Sequence, residues 1–420
     1  MASDIRILHT ADLHLDSPLR SLALRDAGLR DRVANATRIA LGRIVETAID
    51  REVAAVLIAG DLFDGRERSA HTAAFLLHAL DRLRGHGIRV FLIRGNHDAE
   101  NPVTGAIEWP DNVHLFSGRG GRVMLADGVW IHGVSFARPH APESLLGHFP
   151  PPVPGAVNIA MLHSSLAGAP GHDVYAPCSV AELVAMGFDY WALGHVHKRS
   201  VHATAPLVVM PGTPQGRDIG EAGEKSATLL TIADGAIAIE EVPTAAVQFR
   251  HGTLDVTGID SEQGLRERLR AHLREHAPAA GAPACVLRVV LRGQTALHWQ
   301  IERDRDVWTE FATQTAREFT TLWIDRLLLE LTPKPTAAAG VGAADELAGL
   351  IDTLRGELGF VAQARDEVDT LLRALPPEIR ARLLPDETAM GALVERLARD
   401  GGRAVLARMR GAASSEREPG

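Results

Sequence analysis

Hydrophobic positions in the first hundred residues change period several times, and each change marks an element. Ile5-Arg6-Ile7-Leu8-His9-Thr10 reads as a strand. Val33, Ala36, Ile39, Ala40, Ile44, Val45 and Ala48 then recur at helical spacing and predict a helix over 31–51. Residues 53–59 are apolar throughout, which a strand with one wet face would not be, so they predict a central strand buried on both sides. A helix over 69–85 and a strand at 89–93 complete a β-α-β-α-β order. Each of these strands runs into polar residues at its C-terminal end: Asp12 and His14, then Gly60-Asp61, then Gly95-Asn96-His97-Asp98. That edge is where α/β sheets place their ligands.

Beyond residue 110 the pattern shortens. Strands are predicted near 113–116, 122–125, 129–136, 157–162, 189–193, 201–204, 207–210, 226–233 and 236–242, with one helix within 179–186. The mixture points to an α/β fold in which a two-sheet β-sandwich over 1–245 is flanked by helices. From 246 the chain restarts as strand (247–256), helix (261–276), strands (284–292 and 297–303), helix (306–319) and strand (321–331), an order that suits a small split-βαβ cap domain over 246–332. Residues 333–344, rich in Pro, Ala and Gly, read as a linker. Within 345–410, Leu347, Leu350, Ile351, Leu354 and Leu358 mark an amphipathic helix, and Leu393, Val394, Leu397, Val405, Leu406 and Met409 mark more. Residues 411–420 are expected to be disordered.

Composition removes several classes of function. The 420 residues contain no apolar run long enough to span a bilayer, and the first residues lead straight into a strand without a basic region or an apolar signal core, so a cytoplasmic protein with no membrane partner is expected. Cys178 and Cys285 fall in different predicted domains and read as free thiols. A net charge of −9 argues against a broad basic surface that holds nucleic acid on its own, without excluding a nuclease. Of 44 basic residues only Lys198, Lys225 and Lys334 are lysine, a bias that genome composition explains as well as function does.

The chemistry lies in five short segments: Asp12-Leu13-His14, Gly60-Asp61-Leu62-Phe63-Asp64, Gly95-Asn96-His97-Asp98, Leu162-His163-Ser164 and Gly194-His195-Val196-His197. Their Asp, Asn and His donors suit Mn, Fe(II) or Zn, and the lack of Cys argues against a structural zinc or iron-sulfur site. Together they can ligate two divalent metal ions, with Asp61, at the end of the central strand, as the candidate bridging carboxylate. Two such ions acidify water and neutralise phosphate oxygens, so the chemistry expected is phosphoester hydrolysis by an activated hydroxide. His97 stands next to the proposed ligand Asn96, where neighbouring side chains diverge, so it need not bind metal and could instead hydrogen-bond a phosphate oxygen or protonate the leaving oxygen. Asp64 is placed to orient it. His9 reads as structural, beneath the metals or turned away from them. Arg20, Lys198, Arg199 and Arg217 adjoin ligand loops and either face phosphates or are solvated; His172 and Asp173 are candidates for supporting the site from a loop.

In order, the five segments resemble the calcineurin-like metallophosphoesterase superfamily, across roughly 9–197. The resemblance implies that Asp12, His14, Asp61 and His197 hold one metal and Asp61, Asn96, His163 and His195 the other, with His97 catalytic and Asp64 its partner. Asp12-Leu13-His14-Leu15-Asp16-Ser17-Pro18-Leu19, His172-Asp173-Val174-Tyr175-Ala176-Pro177-Cys178 and Pro211-Gly212-Thr213-Pro214-Gln215-Gly216-Arg217 narrow the likeness to SbcD/YhaO-like DNA repair nucleases. Membership there implies Mn(2+) as cofactor, DNA as substrate, a capping domain, and a helical tail that grips the coiled-coil base of an SMC-like ATPase; the related nucleases commonly form homodimers. Asp64 departs from the archaeal and eukaryotic branch, which often has histidine there. Two rivals stand beside the nuclease: a phosphatase or cyclic-nucleotide phosphodiesterase, and a mainly scaffolding subunit of a DNA-end complex.

Overall fold

The computed structural model describes residues 4–17, 27–64, 69–101, 107–166, 175–334, 343–376, 379–380, 383–384 and 387–415. Arg20, His172, Asp173, Pro18, Leu19, Val174, residues 335–342 of the expected linker and residues 416–420 lie outside them. The chain divides into two compact units, 1–251 with 278–286 and 252–277 with 287–420.

In the first unit the elements run β1 (Ile5–Thr10), α1 (Ala27–Ala34), α2 (Ala36–Asp50), β2 (Ala55–Ala59), α3 (Ala70–Gly85), β3 (Arg89–Ile93), α4 (Asn96–Glu100), β4 (Val113–Leu115), β5 (Gly121–Ala126), β6 (Val129–Gly133), β7 (Val157–His163), α5 (Val180–Ala185), β8 (Tyr190–Gly194), β9 (Ser200–Thr204), β10 (Leu207–Met210), β11 (Ser226–Ala233) and β12 (Ala236–Pro243). They form two six-stranded mixed sheets, β12-β11-β1-β2-β3-β4 and β5-β6-β7-β8-β10-β9. β1 to β4 pair in parallel, while β11 runs antiparallel to β1.

The two-residue period of a strand explains why β2 is apolar without a break. Leu57, Ile7 and Phe91 point between the sheets, where they meet Ile159, Met161 and Tyr190. Val56, Ile58, Val90 and Leu92 point the other way, onto Ile44 and Val45 of α2 and Leu76, Leu80 and Leu83 of α3. The second sheet repeats the device, with Ala160, Leu162, Trp191 and Leu193 covered by Phe149, Leu183 and Phe188. The single helix expected over 31–51 is two helices. Asn35, at φ −102° and ψ 3°, leaves helical geometry between them, and α1 starts earlier, burying Leu29 together with Val33.

The second unit carries most of a three-stranded sheet, β13 (Val247–Asp255), β14 (Ala284–Thr295) and β15 (Leu322–Pro333), in that order. Its helices are α6 (Glu262–His276), α7 (His298–Arg303), α8 (Arg305–Arg317), α9 (Ala343–Gly356), α10 (Leu358–Arg373) and α11 (Glu387–Ser415). The strand expected at 297–303 is instead the helix α7. Leu297, Trp299 and Ile301 alternate as a strand would, but Leu297 and Ile301 are also four apart, and the structure buries Leu297, His298 and Ile301 on one helical face. α11 continues to Ser415, past the expected boundary at 410. Arg403 of α11 donates to Glu302 of α7 at 2.8 Å, and Gly402 faces Ile351 of α9 where a larger side chain would collide. Both cysteines are free and buried.

Candidate metal centre

The five segments expected to carry the chemistry converge at one edge of the first unit. β1 releases Asp12 and His14, β2 releases Asp61, the turn after β3 opens α4 with Asn96 and His97, β7 ends on His163, and β8 leads into His195 and His197. Backbone bonds lace the first two loops together, Asp12 N to Gly60 O at 2.9 Å and His14 N to Asp61 O at 3.1 Å. The loops are strained: Asp12, His14, Asp16, Asp61 and His195 all hold positive φ. Side chains resist that region, and it persists where the surroundings over-determine it. Asp16, at φ +60°, is held by both Nε and Nη2 of Arg38, at 2.7 and 2.6 Å, and by the Thr72 hydroxyl. Two glycines make room. Gly60 takes φ +95°, and a Cβ there would strike His163; a Cβ on Gly95 would strike the carboxylate of Asp61.

The donors form two adjoining groups. In one, His14 Nε2 and His197 Nε2 face each other at 3.1 Å, with Asp12 Oδ1 4.0 Å from His197 Nε2. In the other, His163 Nε2 lies 3.3 Å from Asp61 Oδ2, 3.1 Å from Asn96 Oδ1 and 3.3 Å from His195 Nδ1. Asp61 Oδ2 is also 3.8 Å from His14 Nε2, so one carboxylate reaches both groups. The backbone N–H of His195 donates to both oxygens of Asp12, at 3.1 and 3.0 Å, and that of His97 to Asp61 Oδ1 at 3.1 Å.

Electrostatics shows what the arrangement would accept. Burial opposes charge on His163, yet Asp61 beside it and Asp12 beyond override burial and push its imidazole up to about 9. Burial likewise opposes ionisation of Asp61, but the His163 charge and hydrogen bond carry its carboxyl well below the usual carboxylate range. Buried carboxylates thus draw positive charge onto the nearest base, and divalent cations would supply that charge instead. His163 fits the part. Its Nδ1 bonds the Ala59 carbonyl at 2.9 Å, so the neutral ring carries its proton there and turns the Nε2 lone pair to Asp61, Asn96 and His195. Oxygen and imidazole donors in two groups sharing a carboxylate match a pair of first-row divalent metals.

His97 and Asp64 flank this centre. Asp64 Oδ1 is 4.0 Å from His97 Nδ1, beyond hydrogen-bond length, and closer to His14 Nδ1 at 3.6 Å; its other oxygen accepts from Ser17 at 3.0 Å. Asp64 thus stands beside both rings, and the nearness of His14 is what mainly holds its carboxyl low. Burial lowers the His97 imidazole below its ordinary value. His9 is buried beneath the site, with its ring nitrogens 2.9 Å from Tyr190 Oη and 3.0 Å from Leu193 O.

A cleft of about 420 Å³ is lined by Asp61, His97, His195 and His197 together with Lys198, Arg217, Glu221 and Lys225. Two of the chain's three lysines are here, Lys225 almost fully buried. Sequence reasoning noted Arg217 and Lys198 but missed Glu221, which accepts from His197 Nδ1 at 2.7 Å. No motif announces it.

Residues 5–199 match the family model of calcineurin-like phosphoesterases, and residues 249–332 that of the middle domain of the metallophosphoesterase YhaO. An uncharacterized metallophosphoesterase YhaO of Bacillus subtilis is 35% identical over 344 residues, covering 78% of this chain and 82% of its own. The chain belongs to the calcineurin-like metallophosphoesterases. Its likeness to YhaO extends that membership past the phosphoesterase domain, and the family makes it a hydrolase of phosphoesters. More distant relatives of this metallophosphoesterase are named DNA double-strand break repair protein Mre11. That of Methanopyrus kandleri is 23% identical over 63% of this chain and 62% of its own, and that of Sulfurisphaera tokodaii 23% identical over 75% and 87%. Among the described residues no helix is long and apolar enough to cross a membrane.

Proposed function

We propose that this metallophosphoesterase is a Mn(2+)-dependent DNA nuclease, chiefly an exonuclease, acting in DNA repair with an SMC-like ATPase. One observation carries the reading: a two-group donor set sharing Asp61 opens onto a cleft that Lys198, Arg217 and Lys225 also line. In a chain of charge −9, Lys198, Arg217 and Lys225 concentrate there the positive charge that a phosphodiester backbone needs. Relatives named for double-strand break repair support DNA as substrate.

When bound, divalent metals supply Lewis-acid polarisation of the phosphoryl group and acidify water. Asp12, His14 and His197 would hold one and Asn96, His163 and His195 the other, with Asp61 between. The chain's own groups do the rest. Arg217, kept charged by Glu221, and Lys198 bind and orient the phosphate backbone. His97, whose imidazole burial lowers below its ordinary value, lines the cleft beside Asp61, where it would meet a phosphate or leaving-group oxygen. The exposed leucines of α9 to α11 support docking of a coiled-coil ATPase.

The deciding assay gives the full chain labelled duplex and single-stranded DNA, a phosphate monoester and a cyclic nucleotide, each with Mn(2+). DNA should be degraded, and Asp61→Ala should bring the rate below detection. Brisk cleavage of the monoester or cyclic nucleotide with DNA untouched would overturn the nuclease reading in favour of a small-substrate phosphoesterase.

A further inference from the structure

In each donor group a histidine has its far nitrogen tied down, and the two ties differ. His163 Nδ1 is fixed by the main-chain carbonyl of Ala59, at 2.9 Å. His197 Nδ1 is fixed by a side chain, Glu221 Oε1, at 2.7 Å. Glu221 ends a short 3-10 turn, Ile219–Glu221, whose start is capped by the Asp218 side chain accepting from Gly220 N. Its carboxylate is 16% exposed and fully engaged. Oε2 accepts from Arg217 N at 2.8 Å, and Oε1 accepts from Arg217 Nε and Nη2 at 3.1 and 2.9 Å.

A ring that donates from Nδ1 to a carboxylate presents a lone pair at Nε2. In His197 that atom is the one 3.1 Å from His14 Nε2 and 4.0 Å from Asp12 Oδ1. We propose that Glu221 is a positioning residue for His197, selecting the tautomer and angle in which its Nε2 serves the Asp12–His14 metal. Arg217 Nη2 reaches the same Oε1 and lies 3.0 Å from His197 Nδ1, so it holds the carboxylate against the ring; the guanidinium can only donate, and the nearer partner of Nδ1, at 2.7 Å, is the carboxylate that accepts its proton. The inference rests on the dimetal reading of the site and not on DNA being the substrate.

The test is a Mn(2+) titration of the metal-free full chain, following the free-ion signal by electron paramagnetic resonance. Wild type should take up two equivalents. Glu221→Ala should bind one with unchanged affinity and the other about 10- to 100-fold more weakly, the usual effect of losing such a partner. Glu221→Gln, whose amide oxygen still accepts from Nδ1, should recover most of the loss. If Glu221→Ala does not fold by circular dichroism, Glu221→Asp, whose shorter arm withdraws the oxygen, carries the same expectation. Two equivalents at wild-type affinity in Glu221→Ala or Glu221→Asp overturn the proposal. So does a Gln variant no better than the Ala variant, because the effect would then be one of net charge. Wild type failing to bind a pair of ions overturns the dimetal reading itself, and this proposal with it.

Discussion

The ligand loops of the first unit and the closing helices of the second treat their most important side chains in opposite ways. Asp12, Asp61 and His163 are buried charges or bases, the two aspartates at positive φ, each held by several named partners. In α9 to α11, Leu350, Leu354, Leu358 and Leu371 are 59%, 47%, 88% and 70% exposed. Beside them a small cluster of Val368, Leu372, Met390 and Val394 is buried. A strained polar loop is maintained where its surroundings force it, whereas apolar surface left in water forgoes about 25 cal/mol per Å². The first region meets its demands from within the chain; the second carries an apolar face that the same chain leaves bare.

The largest effect should come from separating chemistry from stability in the first region. His97→Ala removes a half-buried ring whose backbone N–H bond to Asp61 survives the change. The rate should fall by roughly 10²- to 10⁴-fold, with thermal unfolding nearly unchanged, as steady-state kinetics and calorimetry on one preparation would show. A comparable loss of unfolding temperature would make His97 a structural residue.

Next in size is the strain itself. Gly60→Ala forces a side chain into φ +95° and against His163, while Gly87→Ala meets φ +70° with nothing within 4 Å. Gly87→Ala should cost about 1 kcal/mol, and Gly60→Ala roughly 1–3 kcal/mol for its backbone plus the displacement of His163, read in chemical denaturation. Equal costs would mean that the ligand loop yields as easily as an ordinary turn.

How much of this could be read from residues alone follows the range of the interactions. The continuous apolar run of β2 and the polar residues at strand ends are local signals, and Asp12, His14, Asp61, Asn96, His163, His195 and His197 do meet. The helix α7 was misread because Leu297, Trp299 and Ile301 satisfy two periods at once, and only burial chooses between them. Glu221 was invisible because its tie to His197 spans 24 residues and depends on a turn with no sequence signature. Asp64 lies 4.0 Å from His97 Nδ1, and what the residues alone do not show is that the converging loops also bring it to 3.6 Å from His14 Nδ1. The scarcity of lysine read as genome bias until the fold put two of the three in one cleft.

Acid sharpens the contrast through a buried base. Burial, assisted by Arg199, lowers the His9 imidazole to about 3, although its bond to Leu193 O resists this. The unfolded chain then binds a proton near pH 6.5 that the folded chain refuses until about pH 3. Stability from this group is fully present above pH 6.5 and is lost as pH falls toward 3, by a few kcal/mol in all. His9→Gln should flatten the pH dependence of first-unit unfolding between pH 6 and 4 by about one proton. An unchanged slope would mean that His9 protonates freely in the fold.

The smallest change in stability belongs to the bare face. Leu354→Glu lies at 47% exposure and should shift unfolding by no more than about 0.5 kcal/mol, whereas Leu372→Asp, 6% exposed in the small cluster, should cost several kcal/mol. If the face receives a coiled coil, Leu354→Glu should also abolish co-purification with the SMC-like ATPase while nuclease activity persists, since stability and docking then rest on different leucines. Should Leu354→Glu destabilise the helices as much as Leu372→Asp, the face is packed within the chain in solution, and the contrast between the two regions disappears. If stability and ATPase binding both survive the change, Leu354 lies outside the docking surface, and the same pair of measurements passes to Leu350 and Leu358.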